Sequence, residues 1–290
     1  HQGLNAMFTM MNNARLGVGV QGLSQSEVAF QKALNYAKTR KQGKSINDKP
    51  LGSIIDHADV RRNLMIMRCL TDVSRSICLD TAISLDLWDT TNKTFWRKKA
   101  EFLTPIAKAF STDSGCDVAS LGMQIHGGLG YIEDVGASQF YRDVRITSIY
   151  EGTNGIQAID LVSRKLGSDG CSAKILIDEI KKTETECEIS GRIESYLVNE
   201  LRLARVNLTH AVDWMVEQKQ INNRLAGATP FLKAFALVLG AHYLLKAALA
   251  CEEDSRLTIA RFFVQNLLPE SYSSIKTCCN VSDLLYEMEF

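Results

Sequence analysis

Proline is scarce in this chain, with four in 290 positions. A chain so poor in the residue that fixes φ and removes a backbone donor can sustain long, uninterrupted helices. Alternating polar and apolar runs, the mark of half-buried strands, are also few, and long stretches follow the 3.6-residue helical period instead. There is no excess charge of either sign, since Lys plus Arg and Asp plus Glu each total 33. No bulk positive field therefore draws the chain to nucleic acid or to an anionic membrane surface. The five histidines are scattered and none shows the HExxH spacing of a zinc hydrolase, so no metal site is expected. The eight cysteines contain no CxxC pair and no regular framework, which predicts free thiols in a reducing, cytoplasmic compartment. The most apolar run, Phe235 to Leu245, is bounded and interrupted by Lys233, His242 and Lys246. That span is shorter than a bilayer requires, so it predicts a buried core helix and no membrane span. No repeat is visible, and His1-Gln2-Gly3 carries no signal-peptide pattern and is expected to be the cut end of a longer chain.

What is present is enough apolar material, 46% of residues, to build one large core or two smaller ones. One long helix is predicted over about 5–41, with Leu16, Val18, Leu23, Val28 and Leu34 on it. Gly17, Gly19 and Gly22 interrupt that helix on neighbouring turns. Each costs a helix up to about 1 kcal/mol, so close approach of another helix or a ligand is their expected reason. Turn residues mark 42–52 as a loop. Further helices are predicted over about 59–88 and 94–124, then an irregular glycine-rich stretch over 126–136 and short helices over 137–145 and 152–166. Gly167-Ser168-Asp169-Gly170 reads as a linker dividing a first domain, 1–168, from a second, 169–290. Beyond a highly charged stretch at 181–188, amphipathic helices are predicted at about 190–218, 229–251, 254–268 and 280–288. The basic clusters Lys38, Arg40, Lys41, Lys44 and Arg97, Lys98, Lys99 read as solvated helix ends.

Chemistry concentrates in Ile149-Tyr150-Glu151-Gly152-Thr153-Asn154-Gly155-Ile156-Gln157. Glu151 stands beside a glycine at the mouth of a predicted helix. By pattern alone it is either a capping or dipole-favoured residue, or a general base for a carbon acid if burial raises its pKa. Gly152 would leave room for a substrate backbone to pass. Upstream, Gly127-Gly128-Leu129-Gly130 follows a helical pattern rather than a strand, which rejects a Rossmann loop. Its glycines fit a helix C-cap or backbone approached by a phosphate or a flavin.

In order and spacing, the segments Gln124 to Tyr131, Phe140 to Ile146 and Ile149 to Gln157 closely resemble the C-terminal helical domain of acyl-CoA dehydrogenases. Met7 to Gly17 and Thr104 to Phe110 support the likeness, which covers roughly residues 3–166. The tail over about 185–290 resembles, less specifically, the extra helical domain of the large bacterial members. The resemblance implies an all-α fold, an up-down four-helix bundle followed by a smaller C-terminal helical domain, with FAD as cofactor. It implies that Glu151 removes the α-proton of an acyl-CoA while the flavin N5 accepts the β-hydride, giving a trans-2-enoyl-CoA. The Glu151 backbone N–H would help hold the thioester carbonyl. Thr153 would contact the flavin, and Gln124, Gly127 and Gly128 would reach the adenosine portion of FAD across a subunit interface. Arg40 would contact the pyrophosphate from a neighbouring subunit, and Asn12 and Arg15 the CoA portion of the substrate. Arg142 and Asp143 would form a structural pair supporting the glutamate loop. The sequence departs from the common Arg-x-x-Phe-Gly pattern, because Arg40-Lys41-Gln42-Gly43 has no phenylalanine. Implied partners are the acyl-CoA, an electron-transfer flavoprotein, and further copies of the chain in a dimer or tetramer. Family members also carry an N-terminal helical domain and a middle β-barrel, so the chain by itself is expected to be inactive. Two other readings stand beside this one: an acyl-CoA oxidase, and a non-catalytic helical oligomerisation or interaction module.

Overall fold

The computed structural model describes residues 3–44, 52–251, 253–280 and 283–289. Among the described residues every extended element is helical, apart from a lone antiparallel bridge between Lys41 and Ser53. Three long helices open the chain: α1 (Gly3–Thr39), α2 (Ala58–Thr91) and α3 (Thr94–His126). Asn92, in the left-handed region at φ 52°, ends α2 and donates its N–H to the Trp88 carbonyl at 2.8 Å. A turn this short makes α2 and α3 antiparallel neighbours.

Two of the three α1 glycines are explained by the packing of α1 on α3. A Cβ at Gly19 would stand 2.9 Å from the Ala107 carbonyl oxygen, and one at Gly22 only 2.5 Å from that of Ser111. Gly115 on α3 answers Gly22 across the crossing, with a would-be Cβ 3.0 Å from the Gly22 oxygen. A side chain at any of these positions would force the two backbones apart. Gly17 has nothing within 4 Å of its missing Cβ, so packing gives no reason for it.

After α3 come α4 (Gly128–Tyr131), α5 (Ala137–Arg145) and α6 (Asn154–Asp160), the last continuing into a π-type turn at Leu161–Lys165. The remaining helices are α7 (Cys171–Ser190), α8 (Ser195–Glu217), α9 (Ile221–Ala226), α10 (Ala228–Ala250), α11 (Asp254–Asn266), α12 (Glu270–Cys278) and α13 (Asp283–Glu287). α7 is hidden in the sequence by its charge. Within the stretch read only as charged, Thr183, Glu184 and Cys187 are buried, and Glu184 is satisfied by Arg205 at 2.6 Å. Gly191, at φ 63°, stops α7 and delays α8 to Ser195. The helix expected over 254–268 stops at Asn266, and α12 starts anew after Pro269.

α10 organises the second half. Ala228–Ala250 is long and apolar enough to cross a membrane, with a mean hydropathy of 1.4 over its most apolar window. Most of that window, 72%, is buried inside the fold, which accounts for the composition. Phe235 packs edge-on against Phe102 of α3, ring centroids 4.9 Å apart. Gly240 lets α10 approach Val73 of α2 and Phe263 of α11, where a Cβ would stand 3.0 and 2.6 Å away. Each fully buried phenylalanine contributes about 2–3 kcal/mol by removal from water, so these contacts tie α2, α3 and α10 into one continuous core.

One of the basic residues taken as solvated is interior. Lys99 is 4% exposed, and its Nζ lies 2.9 Å from Asp80 of α2 and 2.8 Å from Glu179 of α7. Tyr243 of α10 donates to the same Asp80 at 2.6 Å. Four helices thus share one buried polar cluster. All eight cysteines are free, and burial pushes Cys69 up to about 12 and Cys78 up to about 11, far from thiolate chemistry.

Candidate active site

The loop between α5 and α6 carries the unusual backbone. A 3-10 turn at Ile146–Ser148 leads into it, and Thr153 closes it by capping α6, its Oγ1 accepting the Ile156 N–H at 3.4 Å. The capping role open to Glu151 in the sequence is therefore filled by Thr153. Glu151 itself sits at φ 56°, in the left-handed region that side chains with a Cβ rarely adopt. Gly152 follows at φ 83°, and a Cβ there would meet Gln157 Nε2 at 3.1 Å and Ile156 Cγ2 at 3.3 Å. Backbone strain of this kind costs about 1–3 kcal/mol and persists only where the surroundings enforce it.

Three side chains enforce it. Lys108 of α3 is fully buried and donates to the Gly152 carbonyl at 2.9 Å and to Asn154 Oδ1 at 2.8 Å. Gln157 of α6, also fully buried, donates Nε2 to the Glu151 and Gly152 carbonyls, both at 3.2 Å. Asn154 turns its amide nitrogen to Thr112 Oγ1 at 2.9 Å and Asp113 at 2.6 Å. Burial pushes the Asp113 carboxyl up, against the pull of Asn154 and Lys108. Tyr150 anchors the outer side by donating to Gln21 of α1. The Glu151 carboxylate is half-buried and, among the described residues, has neither a hydrogen bond nor an ion pair.

A second cluster lies where α1 and α3 end. Tyr36 and His126 stack with ring centroids 4.4 Å apart, holding the two helix ends together. His126 is buried, with Nδ1 2.7 Å from the Gly122 carbonyl. Arg40 and Gln124 are exposed beside it. Gly127, at φ 62°, caps α3 by donating to the Gln124 carbonyl at 3.0 Å and opens α4. Gly127 and Gly128 are exposed, with nothing within 4 Å of either missing Cβ, so a ligand can reach this backbone closely. Gly130 is glycine for a different reason: its Cβ would fall 2.2 Å from the Met123 carbonyl oxygen. From Gln21, beside the glutamate loop, to its end at Thr39 the α1 axis runs about 27 Å at about 1.5 Å per residue. One chain therefore holds these two clusters far apart.

The family model described as acyl-CoA dehydrogenase, C-terminal domain, matches residues 1–166, across both clusters. This chain belongs to the acyl-CoA dehydrogenase family. A second model, described as acetyl-CoA dehydrogenase C-terminal like, matches residues 176–289. The chain is 36% identical over 304 residues to the 3-methylmercaptopropionyl-CoA dehydrogenase of Ruegeria pomeroyi, covering 98% of this chain and 52% of that protein. It is 27% identical over 295 residues to a butyryl-CoA dehydrogenase of Syntrophomonas wolfei, covering 94% of this chain and 48% of that one. An acyl-CoA dehydrogenase of Bacillus anthracis, solved in complex with FAD, superposes with a TM-score of 0.76 over 99% of this chain and 52% of its own, at 17% identity. At that identity the likeness shows a common fold. The chain spans about half the length of the curated relatives it matches.

Within this family member, one expected arrangement is corrected, that of Arg142. Arg15 is only 4% exposed and pairs with Asp160 of α6 at 2.7 Å. Asn12, half-buried, accepts from the same guanidinium at 3.4 Å. Arg142 pairs with Glu133 at 3.5 Å and donates to Ser138 at 3.1 Å, rather than pairing with Asp143. Support for the glutamate loop comes instead from Lys108 and Gln157, which sequence reasoning missed. The signal for Lys108 was a cation on the apolar stretch Thr104 to Phe110, where a solvated residue would be out of place.

Proposed function

We infer that the chain carries the proton-abstracting part of an FAD-dependent acyl-CoA dehydrogenase, which converts an acyl-CoA to the trans-2-enoyl-CoA. The observation that carries this reading is the Glu151 loop: an unpaired, half-buried carboxylate on a left-handed backbone that buried side chains clamp from behind. A base must be free of competing partners and fixed in place before the substrate arrives.

In this reading the Glu151 carboxylate takes the proton from the carbon beside the thioester carbonyl. Its own backbone N–H holds that carbonyl and stabilises the enolate charge as it develops. Gly152 keeps side-chain bulk out of the acyl path, and Asn12 lies along the CoA portion. FAD, when bound, takes up the β-hydride. Thr153 contacts the flavin end. The open, exposed backbone of Gly127 and Gly128, with Gln124 and Arg40 beside it, fits the approach of the adenosine and pyrophosphate portions. The length of α1 between the two clusters supports a dimer or tetramer in which each chain serves one flavin with its loop and a neighbour's with its helix ends. An electron-transfer flavoprotein reoxidises the enzyme.

The test is the visible spectrum of the full-length, FAD-loaded protein during titration with a panel of acyl-CoAs, beside its Glu151→Gln variant. Bleaching in the wild type is expected, with flavin retained but reduced about 10²–10⁴-fold more slowly in the variant. Equal bleaching in both would remove Glu151 from the role. A protein that binds no flavin would overturn the dehydrogenase reading.

A further inference from the structure

Lys108 is a buried cation that the proton-transfer chemistry leaves unused. Nothing in the apolar interior of α3 calls for an ammonium, and a methionine of similar length would fill the same space. Taking the charge out of water is unfavourable unless a specific partner recovers the loss. Burial pushes the Lys108 amine down to about 8, and Arg15 pushes the same way, while Asp113 and Glu151 oppose it. Its partners are not a carboxylate but the Gly152 carbonyl and the Asn154 side chain, one and three residues after Glu151. The charged groups around it are Asp113 on its own helix, Arg15 on α1 with its counter-ion Asp160 on α6, and Glu151 on the loop; Lys233 of α10 acts on Asp113.

We propose that Lys108 is a positioning residue for the Glu151 base. Its Nζ clamps the loop in the left-handed conformation that aims the carboxylate, by donating to the Gly152 carbonyl and to Asn154 Oδ1. Gln157 shares the task from α6 by holding the same Gly152 carbonyl and that of Glu151, but it brings no charge. The role rests on the reading of Glu151 as the base. It goes beyond that reading by naming what fixes the loop: Lys108 and Gln157 both donate to its carbonyls, and only Lys108 also holds Asn154.

The experiment compares the full-length, FAD-loaded wild type with Lys108→Met and Lys108→Arg, by acyl-CoA turnover and by hydrogen exchange of the amides over 149–157. Lys108→Met is expected to lower kcat about 10- to 100-fold with KM changed less than about threefold, because a misaimed base impairs the transition state more than binding. Amides 149–157 should exchange at least about tenfold faster. Lys108→Arg, which restores a charged donor, should return kcat and loop exchange towards the wild-type values. Should the Met variant fail to fold, Lys108→Gln, which keeps a donor without the charge, carries the same comparison. Unchanged kcat and loop exchange, with any effect confined to the thermal midpoint, would overturn the proposal. If the wild type does not turn over acyl-CoA, the base reading falls, and loop exchange alone still decides whether Lys108 clamps this segment.

Discussion

At the scale of single residues, burial rather than charge decides what an ionisable group does here. Arg15 and Asp160 have side chains 5% and 1% exposed, and Arg164 adds a second cation to Asp160 at 2.6 Å. Breaking a buried pair by neutralising one partner leaves the other charge uncompensated, at about 3–5 kcal/mol. Asp160→Asn should therefore destabilise the protein by about 3 kcal/mol, read from the midpoint of urea unfolding. A loss under about 1 kcal/mol would mean that Arg15 and Asp160 are already solvated in the folded protein. The turn over Glu151, Gly152 and Thr153 was legible in the sequence because a glycine and a helix cap stand there in consecutive residues. Lys108 and Gln157 were not: the lysine lies far upstream on another helix, and only folding brings its ammonium under the loop.

At the scale of the helix, the sequence located the three long helices to within a few residues, because each carries an unbroken apolar period. It also flagged the α1 glycines, but it could not say which of them face a neighbour. Gly22→Ala would put a methyl group 2.5 Å from the Ser111 oxygen of α3, and forcing the helices apart should cost about 1–3 kcal/mol or more. Gly17→Ala meets nothing within 4 Å and should stabilise α1 by up to about 1 kcal/mol. Denaturation of the two variants side by side checks the pair, and the same sign for both would refute the assigned crossing. α7 escaped detection for a related reason. Its Lys- and Glu-rich face dominates the composition, while the buried face of Ala173, Leu176, Ile180 and Cys187 emerges only once α8 and α10 are packed on it.

At the scale of the whole molecule, α10 joins the two stretches that match separate family models, and it carries the buried His242 beside the Asp80–Lys99 cluster. Burial pushes His242 down to about 3, aided by Lys246 and Lys99 and opposed by Asp80. The folded state therefore keeps this ring neutral, whereas the unfolded chain protonates it near its ordinary value of 6.5. The stability that the neutral ring contributes is complete above about pH 6.5 and is lost progressively as pH falls towards 3. Between pH 7 and pH 5 that component amounts to about 2 kcal/mol. His242→Leu should remove it, so the variant's urea midpoint should fall less than the wild type's between the two pH values. Parallel falls would show that His242 is hydrated in the folded protein.

The sequence by itself determined the helical class, the places where helices break, and the consecutive residues of the glutamate loop. All three depend on local geometry, the helical period and the conformations open to glycine, proline and asparagine. Only the tertiary structure decided which charges are interior. It set Arg15 on Asp160, moved Lys99 from solvent to a four-helix cluster, and brought Lys108 from an unremarked helix position to the loop that carries Glu151. The physical reason is desolvation: a charge is written in the sequence, but its energy depends on the water and partners that remain after distant helices have packed around it.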